Sequence, residues 1–146
     1  MPQNPSPETI YISPTDLERM RLDVASGAPE EACGLLAGLV LAGAFQVKMV
    51  IPATNELHSP VRYRMEPQEQ IDAFNSIEAH GLELVGIYHS HPAGPPDPSP
   101  TDLAEAFYPD TVSLIWSPQA GDWQCKAFRV RSQEVDPVII SVIGVE

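Results

Sequence analysis

Two histidines separated by one residue, His89 and His91, close an apolar run within the stretch GIYHSHPAGPPDPSPTD at 86–102. The run itself, LELVGIY at 82–88, reads as a short buried strand. In an extended chain alternate side chains point to the same side, so both imidazoles face one way. Residues 92–100 then hold five prolines, which remove backbone freedom before folding and favour a loop held in one path. Ser99-Pro100-Thr101-Asp102 opens a helix at the end of that loop, bringing a carboxylate towards the imidazole pair. Two histidines and one carboxylate suit a catalytic zinc ion, for which three protein ligands leave a fourth position for water.

The same tetrapeptide occurs earlier, at Ser13-Pro14-Thr15-Asp16, and limits what the motif means alone. A serine N-cap, a proline at the first helical position and an acid in the first turn are a helix start, nothing more. Residues 13–16 are therefore assigned no chemistry. Asp102 taken by itself is equally a first-turn acid that favours the helix dipole. The upstream His-Ser-His is what makes the second copy a candidate site.

The elements that must position these residues can be read in order. Residues 1–8, polar and proline-rich, read as a loose tail, and 9–146 as one domain. Thr9–Ile12 alternates like an edge strand, and a helix follows from Ser13 to Gly27 with Leu17, Met20 and Val24 at helical spacing. Residues 32–44 and 45–51 read as two adjacent central strands in a hairpin, with a turn suggested by the glycines within 39–44. The connection 52–67 is long and irregular, a length that often signals function. A helix over 68–80 carries Ile71, Phe74 and Ile77 on one face and stops at Gly81. After the histidine strand come a short helix over 101–107 and strands over 111–116, 123–130 and 135–145. About six strands with two or three helices predict an α/β domain, a mixed β-sheet flanked by helices. Tyr88, Phe107 and Trp116 are assigned to its core.

Composition narrows the function. With 20 acidic against 8 basic residues the net charge is −12, which repels a phosphate backbone, so no nucleic-acid partner is expected. No apolar run approaches the roughly 18 residues of a membrane-crossing helix, and 1–13 lacks the pattern of a secretory signal. No membrane partner and a cytoplasmic location follow as expectations. Cys33 and Cys125 form no CxxC pair and read as buried small hydrophobes rather than as a thiol metal site or a disulfide. A base deaminase would need HxE with PCxxC and a zincin HExxH, and the chain has neither.

His89-Ser90-His91-Pro92, the seven residues from Pro92 to Pro98, then Ser99 and Asp102 resemble the HxH, seven-residue gap, SxxD pattern of the JAMM (MPN+) zinc metalloproteases. Glu31-Ala32-Cys33-Gly34-Leu35-Leu36 is similar to that family's glutamate segment, and Asn55, Ser59-Pro60 and Arg62-Tyr63 to its small prokaryotic members. The resemblance implies a β-sheet flanked by helices, related to the cytidine deaminases. It implies His89, His91 and Asp102 as ligands of one zinc ion with a bound water, Glu31 as general base and Ser99 as transition-state stabiliser. Glu30 and Glu31 are adjacent and chemistry alone does not choose between them; the choice rests on the family register.

The resemblance further implies hydrolysis of the peptide or isopeptide bond after the C-terminal Gly-Gly of a ubiquitin-like or sulfur-carrier protein. The short segment between Asp102 and Thr111 leaves no room for the second insertion of larger linkage-specific deubiquitinases, which favours carrier processing. A general deubiquitinase-type isopeptidase is the alternative within the same chemistry. A non-catalytic MPN scaffold subunit is a second, weakened by the complete set of His89, His91, Ser99, Asp102 and Glu31. The DNA-repair-associated RadC family shares an HxHP…PSxxD pattern, and the acidic charge opposes it.

Overall fold

The computed structural model describes residues 7–132 and 134–144. Strand β1 (Thr9–Ile12) leads into helix α1 (Pro14–Gly27), followed by β2 (Cys33–Leu41), β3 (Ala44–Ala53), helix α2 (Pro67–Ala79), β4 (Glu83–Ser90), helix α3 (Pro100–Ala104), β5 (Val112–Gln119), β6 (Asp122–Arg131) and β7 (Glu134–Val142). The strands close into a barrel in the order β1-β3-β2-β4-β5-β6-β7. The expected α/β composition is met, but strands dominate and the sheet is closed rather than an open layer between helices.

Closure comes from β1, which pairs in parallel with both β3 and β7. It is not an edge strand. Its alternation correctly turns Ile10 and Ile12 into the core, but alternation specifies faces and carries no information on neighbours. The backbone bonding begins at Glu8, which donates to the Gly43 carbonyl at 3.0 Å and accepts from Ile139 at 2.9 Å. Of the expected N-terminal tail, residues 1–6 lie outside the described residues, as does Val145 at the end of the last expected strand.

Local signals account for most elements. Ser13 Oγ accepts from the Asp16 N–H at 3.1 Å, and Met20 and Val24 are the buried face of α1. The β2–β3 hairpin turns at Gly43, whose φ of +71° is open to glycine at little cost. The main core joins Met20 and Val24 to side chains from every strand, among them Ile10, Leu36, Val47, Tyr88, Leu114, Ala127 and Val138. Leu35 points to the opposite face of β2 from Leu36 and packs with Cys33, Met65 and Ala73 of α2. Both cysteines are free, and burial pushes the Cys33 thiol up to about 12.

Helix α3 stops at Ala104, short of the expected residue 107, so Phe107 is not on a buried helical face. It is 73% exposed, against the core position expected for it, whereas Tyr88 and Trp116 are buried as expected. Tyr88 also shows why position 34 lacks a side chain: a Cβ there would lie 2.2 Å from the tyrosine ring. The close approach of β2 to β4 sets Cys33 opposite His89. Glu31, two residues before Cys33, is thereby brought to the end of the histidine strand.

Candidate active site

The histidine strand β4 ends at Ser90, between antiparallel β2 and parallel β5. His89 is its penultimate residue, and the His91 N–H, just past its end, still donates to the Trp116 carbonyl at 2.8 Å. The extended path thus persists through both histidines, and their rings turn to one place: Nε2 to Nε2 is 3.1 Å. Both side chains are nearly fully buried. His91 Nδ1 lies 2.8 Å from the Pro95 carbonyl. A carbonyl only accepts, so Nδ1 carries the proton, leaving the Nε2 lone pair for the centre of the cluster.

The proline loop delivers the third group. Ser99 caps α3, its Oγ accepting from the Asp102 N–H at 3.0 Å while the Ser99 N–H donates to Asp102 Oδ2 at 2.9 Å, a reciprocal capping box. The same Oδ2 lies 3.2 Å from His89 Nε2 and 3.0 Å from His91 Nε2. Burial opposes ionisation of Asp102, but both imidazoles and the Ser99 N–H override it and hold its carboxyl well below the usual carboxylate range. At His91 burial likewise opposes the charge, and Asp102 with the Pro95 carbonyl reverses this to a net rise.

Glu31 is held beside these groups by its backbone. Its N–H donates to the Ser59 carbonyl at 2.8 Å, and its carbonyl accepts from Asn55 Nδ2 at 3.0 Å. The next residue, Ala32, donates to Ser90 Oγ at 2.8 Å, and its carbonyl accepts from the Ser90 N–H at 3.0 Å. Ser90, between the two histidines, therefore fastens the glutamate segment to them. Glu31 is 4% exposed, and among the described residues its Oε1 has no hydrogen-bond partner. Desolvation pushes its pKa up to about 7, with His91 lowering and Asp102 raising it. Glu30, by contrast, faces outwards and meets the exposed His58 at 3.1 Å.

These groups fit a zinc ion. Tetrahedral coordination at about 2.0–2.1 Å separates neighbouring ligand atoms by about 3.3 Å. His89 Nε2, His91 Nε2 and Asp102 Oδ2 form a nearly equilateral triangle of 3.0–3.2 Å sides, the face of such a tetrahedron. Two imidazole nitrogens and a carboxylate oxygen converge there, a donor set that suits a divalent cation. Glu31, His89 and His91 also offer one ligand atom each within 4.8 Å of one another. Of the two carboxylates, Asp102 lies within hydrogen-bond distance of both Nε2 atoms, and among the described residues Glu31 makes no hydrogen bond to either ring.

Residues 14–131 match the family described as prokaryotic homologs of the JAB domain. The chain belongs to the prokaryotic JAB family. It is 38% identical over 125 residues to a desampylase of Haloferax volcanii, covering 82% of this chain and 88% of the relative. It is 42% identical over 112 residues to the CysO-cysteine peptidase of Mycobacterium tuberculosis, covering 75% of each. A solution structure from Desulfitobacterium hafniense superposes with a TM-score of 0.83 at 34% identity, over 91% of this chain and 92% of that one. As a JAB member with peptidase relatives, the chain is a JAMM-type hydrolase.

In this JAB domain a cavity of about 220 Å³ opens beside the cluster, bordered by His89 and Asp102. Met65, Ile87, Ile115 and Val130 line its apolar floor, and Phe107 and Tyr108 its rim. Gln70 Nε2 donates to Tyr108 Oη at 2.8 Å, tying the rim to α2. Arg62 pairs with Glu105 at 3.0 Å, joining the 54–66 connection to the end of α3. Neither the place of Phe107 at the rim nor the role of Asn55 was legible in the sequence. Asn55 is buried, and its side chain makes contacts to Glu31, Leu57, Arg62 and Arg64, organising a connection whose ends meet in an isolated antiparallel bridge between Asn55 and Met65. A buried-turn asparagine among polar residues was the available signal.

Proposed function

We propose that the chain is a zinc-dependent peptidase that hydrolyses the bond after the C-terminal Gly-Gly of a ubiquitin-like or sulfur-carrier protein in the cytoplasm. The observation that carries this reading is the triangle of His89, His91 and Asp102 beside the buried, unpartnered Glu31 oxygen. His89, His91 and Asp102 would hold the ion, and Glu31 would remain outside it as the base. A zinc ion held there supplies Lewis acidity, which acidifies water towards neutral pH and polarises a carbonyl.

Glu31 accepts the proton of the attacking water and delivers it to the leaving nitrogen as the C–N bond breaks, so the carrier leaves as a carboxylate and the departing group as an amine. Its low exposure supports this role, because a desolvated carboxylate with no competing partner is basic near neutral pH. Ser99 Oγ accepts from the Asp102 N–H, which leaves its own hydrogen free to donate to the developing oxyanion. The apolar cavity bordered by His89 and Asp102 offers room for an extended tail to reach the cluster.

The substrate class follows the relatives named desampylase and CysO-cysteine peptidase. An isopeptidase acting on lysine conjugates uses the same groups and differs only in the departing amine. Among the described residues no helix is long and apolar enough to cross a membrane. The test is cleavage of a ubiquitin-like carrier extended beyond Gly-Gly, with and without a chelator. Chelator-sensitive release of the mature carrier is the expected result. Zinc-loaded protein that leaves both peptide and isopeptide extensions intact would overturn the reading.

A further inference from the structure

The two imidazoles of the cluster are held in different ways. His91 is anchored through Nδ1 to the Pro95 carbonyl. The hydrogen-bond contacts of the His89 ring run through Nε2, and among the described residues none is made at its Nδ1. What lies on His89 is an aromatic ring: the Tyr63 and His89 centroids are 4.7 Å apart and their planes are inclined by 27°. Tyr63 is itself fixed from both sides, because Asn55 Nδ2 donates to the Arg62 carbonyl at 3.0 Å and Asn55 Oδ1 accepts from the Arg64 N–H at 3.1 Å. Its ring also packs on the cluster of Cys33, Leu35, Met65 and Ala73.

We propose that Tyr63 is a positioning residue for the metal centre: its stacked ring sets the plane of His89 and so aims Nε2 at the point shared with His91 and Asp102. The inference rests on the metal-centre reading above. A histidine ligand ordinarily has its plane fixed by a hydrogen bond from its second nitrogen. His91 has that bond; at His89 a flat face does the same work by blocking rotation of the ring. The stack requires the aromatic plane and makes no use of the tyrosine hydroxyl, so phenylalanine replaces Tyr63 and an aliphatic residue does not.

The experiment measures the zinc dissociation constant by competition with a chromophoric chelator and the visible spectrum of the cobalt-substituted protein. Wild type, Tyr63→Phe, Tyr63→Leu and Ile77→Ala are compared; Ile77 is a buried α2 residue that does not border the cavity. Tyr63→Phe keeps the affinity and the cobalt bands. Tyr63→Leu weakens zinc binding by about 10- to 100-fold, the usual cost of losing such support, and shifts the cobalt bands. Ile77→Ala lowers Tm and moves neither metal readout, which separates positioning from loss of packing. An unchanged affinity and spectrum in Tyr63→Leu, or a Tyr63→Phe as impaired as Tyr63→Leu, overturns the proposal. Should the leucine variant not fold, Tyr63→Met, unbranched and without a ring, carries the same test. Wild-type protein that takes up no zinc overturns the metal-centre reading instead, whereas tight wild-type binding with an unaffected leucine variant overturns only the role of Tyr63.

Discussion

Ser-Pro-Thr-Asp begins two helices in this chain, and the two copies have different fates. At α1 the motif starts a helix of 14 residues whose Met20 and Val24 enter the core. At α3 it starts one of 5 residues that buries no side chain of its own. The serine acts alike in both, accepting from the N–H of the aspartate at 3.1 Å and 3.0 Å. The difference lies in what each aspartate faces: Asp102 Oδ2 meets two buried imidazoles, and among the described residues Asp16 meets no such partner. The reciprocal bond that completes a capping box is made at Asp102, which mounts this carboxylate rigidly beside the two histidines of the strand end; under the proposed function it is this mount that makes a zinc ligand of it.

The largest effect is expected at the aspartates. Asp102→Ala is expected to abolish zinc retention and reduce turnover to background, while Asp16→Ala keeps both; metal analysis and carrier cleavage of the two variants check this. Glu31→Gln is the next largest change. It should retain zinc and lose about 10² to 10⁴ in turnover, the usual worth of a general base. Equal metal loss in Glu31→Gln and Asp102→Ala would undo the division of roles between the carboxylates.

The serines separate capping from chemistry. Ser99→Ala should lower kcat by about 10² to 10³, in line with removal of an oxyanion donor. The Ser99 N–H still holds Asp102, so zinc stays. Ser13→Ala loses only a cap, about 1 kcal/mol of stability by thermal or denaturant unfolding, with turnover unchanged. Comparable kcat in the two serine variants would reduce Ser99 to a cap.

The smallest effect concerns pH. Burial raises Glu31 to about 7 in the folded, metal-free protein. A raised pKa means that its contribution to stability is fully present below the unfolded value near 4.5 and is lost as pH rises through about 7. Metal-free Glu31→Gln should therefore have a higher Tm than metal-free wild type above pH 7, the advantage vanishing towards pH 4. A difference in Tm independent of pH would show that Glu31 ionises as an exposed carboxylate does.

What could be read from the sequence was local or tied to spacing. The strand end at His89, the hairpin turn within 39–44 and both helix starts follow from neighbouring residues, and the candidate site rests on the family spacing from His91 to Asp102. Barrel closure was not legible, because β1 bonds to strands that begin 35 and more residues later, at Ala44 and Glu134. Nor could the chain decide between Glu30 and Glu31. Adjacent side chains diverge, and the direction of divergence is set by Ser90 and Asn55, residues 58 and 24 positions away from their partners at Ala32 and Glu31. Phe107 was misplaced for the opposite reason: helical spacing was extended past Ala104, where α3 ends.

Zinc stoichiometry by mass spectrometry of wild type, Asp16→Ala and Asp102→Ala, purified side by side, decides whether Asp102 is a metal ligand. One zinc per chain is expected in the first two and none in the third. Zinc retained in full by Asp102→Ala would contradict this, and would move the third ligand to Glu31.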